Sequence, residues 1–229
     1  TLASEGIPVP FSRSFRDAEE LFALPGLFGL HSRYIVKPRF EGSSKGIFSD
    51  SVARSPEEAE ERVRRIWRRY GQPALVEEYL PGEEVTVGII GNDQPSVAGM
   101  MRISSVKPCE EFLYSLEEKR NYLENIRYDG ADTIPPSLQD QLGRLAVAAF
   151  RALELRDMAR LDFRLDGDGI PRIIDVNPLP GLSPLYSDLP ILHRLSGGNY
   201  RDLVGAVLRS ALRRYGMASR AITAEEAAS

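Results

Sequence analysis

The sequence predicts an α+β fold whose sheets are mostly antiparallel. Short β-branched and apolar segments come in pairs joined by turns rich in Gly, Pro or Asp, as the strands of hairpins do. Amphipathic helical segments separate these pairs, without the one-for-one alternation of strand and helix that predicts a parallel sheet. The chain has 229 residues, 42% of them hydrophobic, which is enough for one domain or two small ones.

Capping residues and apolar spacing predict the individual elements. A short helix is expected over 14–24 with Ser14 as its cap, and a longer one between the cap Ser55 and the stop signal Gly71. The apolar stripe of the longer helix is predicted to contain Val63, Ile66, Trp67 and Tyr70. Further strands are predicted at 34–36, 74–80, 85–90, 97–103, 159–165 and 170–176, and further helices after Ser137 and Asn199.

Two segments are predicted to lack regular structure. The polar stretch 107–136 has weak periodicity and is expected to be a long loop, of the kind that often serves as a functional lid. The Ala- and Glu-rich tail 217–229 is expected to fray.

Composition excludes several classes of function. Twenty-nine basic and 33 acidic residues give a net charge of −4, so the chain lacks the basic footprint of a nucleic-acid-binding protein. No apolar run is long enough for a membrane span, and no leader is visible at the start. Cys109 is the single cysteine and cannot form an internal disulfide, which fits a reducing compartment. A cytoplasmic protein without membrane association is therefore expected.

The last predicted hairpin carries acidic residues on one face. Strict alternation puts Arg160 and Asp162 on the same face of one strand, and Asp175 and Asn177 share a face of the next. Asp162 falls close to opposite Asp175, and two facing carboxylates repel each other unless a cation lies between them. Oxygen ligands of this kind suit Mg²⁺. A solvated hairpin face with scattered charges explains the alternation alone equally well.

The residues that follow this hairpin make the sequence resemble one particular protein family. Asn177 is followed by two prolines and Gly181. This arrangement resembles the metal-binding end of ATP-grasp ligases, above all the D-alanine–D-alanine ligase family. The resemblance implies that Asp162, Asp175 and Asn177 ligate the metal and that Arg160 is catalytic. It places Gly181 and Tyr186 at the substrate, with Tyr186 near where that family has a small serine.

A second motif lies near the first predicted strand. Lys37 ends that strand and is followed by a Gly- and Ser-rich loop over 41–46, which taken alone is typical of a surface turn. The same run resembles the phosphate-binding part of the ligase family. The resemblance implies that Lys37 and Ser44 contact the phosphates of ATP and that Ser43 is a second catalytic residue, as part of the substrate-side network.

A third motif surrounds Pro81-Gly82. The strand before it ends in an acidic cluster, and a second strand starts at Glu84, a pattern that a solvated sheet edge also explains. By resemblance, Glu77 and the backbone from Glu78 to Leu80 hold adenine, and Glu84 binds the ribose hydroxyls.

Together the three motifs imply an ATP-grasp fold of two α+β subdomains that clamp the nucleotide. The subdomains are expected at 1–80 and 81–216. The implied reaction uses ATP and Mg²⁺ or Mn²⁺ to activate a carboxylate as an acyl phosphate, which an amine then attacks. The expected substrates are small amino acids or peptides.

The resemblance also has departures. Ligases of this family begin with a separate domain that orients the substrate amine, and the matching segment starts after it, so a further lobe or a partner is expected to complete the site. Arg120 stands near the family's lid tyrosine. Two alternatives therefore stay open: a ligase for another amino acid or peptide, and a nucleotide-binding domain that is inactive without a partner lobe. A homodimer is an assembly that the resemblance allows.

Overall fold

The computed structural model describes residues 1–17, 19–20, 33–42, 45–48, 50–106 and 125–217. The chain divides into two compact units. The first unit comprises Pro10–Pro81 with Ser104–Arg127, and the second comprises Thr1–Val9, Gly82–Ile103 and the chain from Tyr128 onwards. Each unit contains helices and an antiparallel sheet, so the predicted α+β class is confirmed.

The first unit is built on a four-stranded sheet in the order β1-β4-β2-β3. Its three strand pairs are all antiparallel. Its elements are β1 Ser12–Phe15, β2 Tyr34–Pro38, β3 Val52–Ala53, α1 Pro56–Tyr70 and β4 Ala74–Glu78.

Helix α1 has the ends that the sequence predicts. The Ser55 hydroxyl accepts a hydrogen bond from the Glu58 backbone N–H, and Gly71 closes the helix in the left-handed conformation. Val63 and Ile66 are buried in the core of the first unit. Trp67 is 48% exposed and lies at the edge of the face that Val63 and Ile66 define, so the predicted apolar stripe is buried only in part.

The predicted start of the short helix at Ser14 is also wrong. Ser14 lies in strand β1, where it pairs with Leu75 of β4. Asp17 is the capping residue instead, because its carboxylate accepts hydrogen bonds from the backbone N–H groups of Glu19 and Glu20. The remainder of the predicted helix, 21–24, lies outside the described residues.

The second unit is built on a five-stranded sheet in the order β7-β6-β5-β8-β9. Its strands are β5 Glu84–Ile90, β6 Ser96–Ser105, β7 Ile126–Gly130, β8 Met158–Leu165 and β9 Pro171–Asn177, with the outer ends of β6 and β7 belonging to the first unit. Its helices are α2 Pro136–Ala152, α3 Asp188–Leu195 and α4 Tyr200–Arg214. Short 3-10 helices lie at Ala3–Glu5 and Ala131–Thr133. Of the helices in the described part of the chain, none combines the length and the hydropathy that a membrane span needs.

The two faces of this sheet differ in what covers them. On one face, alternate residues of β5 and β8 such as Val87 and Leu161 share a core with Leu142 and Phe150 of α2. Strict alternation sends the intervening residues to the opposite face. Helix α3 packs on that opposite face, where a Cβ at Gly88 would fall 2.6 Å from the side chain of Leu189. The rest of the opposite face carries the polar residues of the candidate site.

One predicted boundary needs correction, and the two compact units do not coincide with the expected subdomains 1–80 and 81–216. Thr1–Val9 belongs to the second unit, where Ile7 is buried in the core, and Ser104–Arg127 belongs to the first. The loop predicted over 107–136 was too long, because Ile126–Gly130 is a strand and Ala131–Thr133 a 3-10 helix. Residues 107–124 and the tail beyond 217 lie outside the described residues.

Candidate functional site

The candidate site is centred on the β8–β9 hairpin of the second unit. Arg160 pairs with Asn177 across the two strands, and Asp162 pairs with Asp175. The register shifts by one residue between Asp162 and Phe163, so a bulge lies next to the facing carboxylates. The predicted opposition of Asp162 and Asp175 is therefore confirmed.

Asp162 is largely buried and its carboxylate is fully engaged. The guanidinium of Arg160 donates to both of its oxygens, from Nε at 2.9 Å and from Nη2 at 2.8 Å. The hydroxyl of Thr86 on β5 adds a third hydrogen bond, to Oδ1 at 3.0 Å. Thr86 had no predicted role; it lies directly opposite Asp162 in the β5–β8 pair, which is a register that only the folded sheet supplies.

Asn177 lies between the two carboxylates of the hairpin. Its Nδ2 donates to Asp162 Oδ2 at 3.3 Å and to Asp175 Oδ2 at 3.2 Å, so the positive end of the amide dipole offsets their repulsion. Rotation of the amide would present its oxygen at the same point, next to two carboxylates. That donor set consists of hard oxygen ligands and fits Mg²⁺ or Mn²⁺.

The protein contributes only part of a full coordination shell at this point. Among the described residues there is no group of three or more His, Cys, Asp or Glu side chains that could hold an ion by itself. A hairpin with two carboxylates and one amide therefore fits a cation that also takes ligands from water or from a bound phosphate, as Mg²⁺ usually does.

Arg160 has a second acidic partner that the sequence did not reveal. Its Nη1 donates to Asp188 Oδ2 at 2.8 Å, and both side chains are almost inaccessible. Burial alone would lower the pKa of Arg160, but the carboxylates of Asp162 and Asp188 outweigh it and raise that pKa. Arg160 is therefore a permanent cation. Asp188 was missed because helix α3, which it opens, was not predicted.

The segment between β9 and α3 folds back on itself. A Cβ at Gly181 would fall 2.6 Å from the Ser187 hydroxyl, so glycine permits this close approach. The Ser187 hydroxyl also accepts a hydrogen bond from the Ser183 backbone N–H at 3.1 Å. Tyr186, which was predicted to lie at the substrate, is 66% exposed. The next residue in the chain is a serine, Ser187.

In the first unit, two of the residues predicted to bind the nucleotide contact each other. The Nζ of Lys37 lies 2.8 Å from Oε1 of Glu77, with both side chains mostly buried. In the β2–β4 pair, Glu77 stands opposite Ile35, and Ile35 lies two residues before Lys37. Lys37 and Glu77 therefore make a diagonal contact on one face of the sheet.

The other predicted nucleotide residues of this unit have different surroundings. The backbone N–H of Glu78 donates to the carbonyl of Phe11 at 2.8 Å, and the Glu78 carboxylate accepts from the Phe11 N–H at 3.3 Å. The side chain of Leu80 is buried. Ser43 and Ser44 lie outside the described residues.

Glu84 belongs to the second unit, at the start of β5. It is buried and lies 3.7 Å from Arg164, its partner on β8. The second unit thus carries four of the polar residues on one face of its five-stranded sheet: Glu84, Thr86, Arg160 and Asp162. The first unit carries Lys37, Glu77 and Glu78.

Comparison with known proteins assigns the family. The family model described as "D-ala D-ala ligase C-terminus" matches residues 28–209, which is most of the chain. The chain belongs to the D-alanine–D-alanine ligase C-terminal family. The match includes the β8–β9 hairpin, Lys37 and Glu84, so the candidate site lies within the part of the chain that defines this membership.

Curated relatives extend the family assignment. A D-alanine–D-alanine ligase of Geobacillus thermodenitrificans is 34% identical over 79% of this chain and 47% of its own length. An uncharacterised protein of Sinorhizobium fredii, y4sG, is 33% identical over 93% of this chain and 61% of its own length. The chain thus spans about half to three fifths of the length of these two relatives.

Solved structures of the family share the fold. The D-alanine–D-alanine ligase of Bacillus anthracis, solved in complex with ATP, superposes with a TM-score of 0.70 at 23% identity, covering 93% of this chain and 63% of that one. The VanG D-Ala:D-Ser ligase of Enterococcus faecalis gives a TM-score of 0.71 at 20% identity, covering 90% of this chain and 58% of that one. The predicted ATP-grasp fold is therefore confirmed.

Proposed function

We propose that this chain carries the nucleotide and metal site of an ATP-dependent ligase that joins a carboxylate to an amine. The observation that supports this most directly is the arrangement of Arg160, Asp162, Asp175 and Asn177 on one hairpin of a chain from this family. In the proposed reaction a substrate carboxylate attacks the γ-phosphate of ATP and gives an acyl phosphate and ADP. An amine then attacks the acyl carbon and releases phosphate.

Arg160 is the proposed catalytic residue. Its guanidinium is buried and anchored by Asp188 as well as by Asp162, so its direction is set before negative charge develops. Preorganised donors of this kind stabilise a transition state more than mobile ones do. Arg160 would thus stabilise the transferring phosphoryl group.

The proposed ligands of Mg²⁺ or Mn²⁺ are Asp162, Asp175 and Asn177. When bound, the ion would act as a Lewis acid on phosphate oxygens. The hydroxyl of Thr86 keeps the Asp162 carboxylate in a fixed orientation, because it occupies one lone pair of Oδ1. Outer contacts of this type preserve the direction in which a ligand points.

The nucleotide residues are proposed by family resemblance and supported by their surroundings. Lys37 would exchange its ion pair with Glu77 for a phosphate oxygen, and Ser44 would contact phosphate while Ser43 faces the substrate. Glu77 and the backbone from Glu78 to Leu80 would hold adenine. Since the Glu78 N–H is already bonded to Phe11, the adenine contacts fall to the carbonyl groups and to the N–H of Leu80. Glu84 would bind the ribose hydroxyls.

The acceptor is proposed to be an amino acid or a small peptide that meets the segment containing Gly181 and Tyr186. Leu185 and Tyr186 are both largely exposed there, and this apolar surface favours an acceptor whose apolar side chain is larger than the methyl group of D-alanine. Mass analysis of the products formed from ATP and a panel of amino acids and dipeptides would identify it. A preference for D-alanine over every larger apolar acceptor would contradict this second candidate.

Calorimetry of Mg-ATP binding tests the site itself. Asp162→Asn and Asp175→Asn in the full chain should each weaken binding by about tenfold or more, because each removes a charged oxygen ligand. Asp140→Asn, which removes an exposed carboxylate of helix α2, is the matched control and should bind as the unchanged protein does. Unchanged affinity in both hairpin variants would refute the metal assignment.

A further inference from the structure

Arg160 lies between two buried carboxylates that come from different elements. Asp162 is two residues away on the same strand and takes two of its hydrogen bonds, whereas Asp188 comes from the first residue of α3 and takes a third. Both contacts that involve Nη atoms are 2.8 Å long, and about nine tenths of each side chain is inaccessible. Such a double pairing is a costly arrangement unless each carboxylate has a separate task.

The carboxylate of Asp162 has no unoccupied oxygen. Oδ1 accepts from Thr86 and from Arg160, and Oδ2 accepts from Arg160 and from Asn177. A divalent cation at this carboxylate must displace at least one of these donors. Arg160 is the donor that a cation displaces most strongly, because two positive charges compete for the same oxygen.

We propose that Asp188 is a positioning residue that retains Arg160 when Asp162 turns to the metal. This rests on the proposed function. With Asp188 in place, Arg160 can loosen its contacts to Asp162 and still keep a buried counter-ion and a fixed direction. Without Asp188, the guanidinium depends on Asp162 for charge compensation and competes with the metal for it.

The fold builds this contact through the backbone. Gly88 of β5 stands directly opposite Arg160 of β8, so the two share a face of the sheet. Because Gly88 has no side chain, helix α3 approaches the sheet closely at this point, and any Cβ there would collide with Leu189. The same approach brings Asp188, the residue before Leu189, against the guanidinium. The ion pair is thus a consequence of tight packing, not of two flexible surface chains that happen to meet.

The charges around the hairpin agree with this role. One guanidinium and the three carboxylates of Asp162, Asp175 and Asp188 leave two negative charges, which a single divalent cation neutralises. If Asp188 were absent, the same cation would leave the cluster with an excess positive charge, beside the buried guanidinium of Arg160. Removal of Asp188 should therefore weaken metal binding without touching a ligand.

The experiment measures metal binding without turnover. Free Mn²⁺ is quantified by electron paramagnetic resonance during titration of the full chain with Mn²⁺ and a non-hydrolysable ATP analogue. Asp188→Asn should weaken Mn²⁺ binding about 10- to 100-fold, the usual effect of losing an outer partner of a metal site. Asp140→Asn is the control and should leave the titration unchanged. Unchanged binding by Asp188→Asn would overturn the proposal.

A double-mutant cycle separates action through Arg160 from a simple effect of charge. In the background of Arg160→Gln, Asp188→Asn should change Mn²⁺ affinity by less than about threefold, because the competing guanidinium is gone. A loss of equal size in both backgrounds would overturn the proposal in favour of a through-space or folding effect. Asp188→Glu keeps the charge and should bind Mn²⁺ more tightly than Asp188→Asn. If Asp188→Asn fails to fold by circular dichroism, the same cycle is run with Asp188→Ser, which also removes the carboxylate.

Amide formation distinguishes this inference from the proposed function. A chain that binds Mn²⁺ with the nucleotide analogue and responds to Asp188→Asn, but makes no amide from any substrate even when the expected further lobe is supplied, supports the positioning role and contradicts the ligase. Amide formation together with Mn²⁺ binding that ignores Asp188 contradicts only the positioning role.

Discussion

Two of the polar clusters in this molecule are internal ion pairs between residues proposed to bind ligands. Lys37 is held by Glu77 in one unit, and Arg160 is held by Asp162 in the other. A cation or anion that is buried alone is expensive, so each partner stabilises the other while no ligand is bound. A ligand must then exchange these contacts, which makes the partners as important as the residues that touch it.

A substitution at Glu84 tests whether this residue binds the ribose or serves only as the partner of Arg164. Glu84→Gln keeps a hydrogen-bonding group beside Arg164 and removes the charge that would bind a ribose, so it probes the ribose role with less damage than alanine would. We expect ATP to lose affinity and 2′-deoxy-ATP to lose much less, and the unchanged protein to prefer ATP. Calorimetry with both nucleotides measures this. Equal losses would assign Glu84 to its structural pair with Arg164.

Sequence patterns predicted the residues of the hairpin but not their partners. Alternation is a local property, so the sequence alone assigns Arg160, Asp162, Asp175 and Asn177 to faces of their strands. Thr86 and Asp188 reach the same site through a neighbouring strand and a helix that packs across the sheet. Such contacts depend on register and tertiary packing, which no local pattern contains.

At the scale of elements, capped and strongly periodic segments were predicted well. Helix α1 has its Ser55 cap and Gly71 stop, and α4 begins after Asn199, whose side chain accepts from the Asp202 N–H. Helix α3 was missed because it is eight residues long and contains Pro190. Strand β1 was mistaken for a helix start because Ser14 also fits a capping pattern.

The close approach of α3 to the sheet can be measured at Gly88. Gly88→Ala should destabilise the protein by about 1–3 kcal/mol, the usual result of overpacking a tight contact. Gly143→Ala, within α2, meets only an ordinary contact at 3.4 Å from Val97 and should raise stability by about 0.4–1 kcal/mol. Urea denaturation of both variants checks the opposite signs. A neutral Gly88→Ala would mean that α3 or the side chains of Leu189 and Leu192 shift without cost.

A hydrogen-bonded ion pair between Asp157 and helix α4 makes the stability of the fold depend on pH. Arg214 of α4 lowers the pKa of Asp157 by hydrogen bonding, against the effect of burial, and Asn92 in the β5–β6 turn lowers it further. A carboxyl group with a lowered folded-state pKa stabilises the fold above its ordinary pKa of 3.8, and this stabilisation is lost as the pH falls through the folded-state value.

Asp157→Asn should therefore lower the melting temperature near neutral pH and flatten its fall in acid. Melting curves between about pH 2 and pH 6 measure this. The exposed-site variant Asp140→Asn should keep the slope of the unchanged protein. A slope for Asp157→Asn that equals that of the control would show that the contact with Arg214 contributes nothing to stability.

At the scale of the whole molecule, the chain passes between its two units four times. The family resemblance suggested a single division near residue 80. Thr1–Val9 joins the second unit through Ile7 in its core, and the carbonyl of Pro8 accepts a hydrogen bond from the Ile173 N–H. Apolar burial and backbone pairing of this kind are not visible in a nine-residue segment.

A substitution at Ile7 tests whether Thr1–Val9 stabilises the second unit. Ile7→Ala should destabilise the second unit by about 2–5 kcal/mol, because it removes a buried side chain from the core shared with α2. Glu5→Ala, in the exposed 3-10 helix, is the control and should change stability little. Hydrogen exchange resolves the units separately. Equal loss of protection in β2 and β4 of the first unit would contradict an effect confined to the second.

The discontinuous second unit also has a consequence during synthesis. All four strands of the first sheet precede residue 79, so that sheet can pair while the remaining chain is still being made. Ile7 leaves the ribosome before any of them, yet the residues that share its core begin at Val85 and continue to Ile173. At about 5–20 residues per second, roughly 8–33 s pass between the synthesis of Ile7 and that of Ile173, and during this time the apolar side chain of Ile7 has no core to enter. Thr1–Val9 is thus made before the first sheet yet finds its place after it, and this interval is when a chaperone has most to protect.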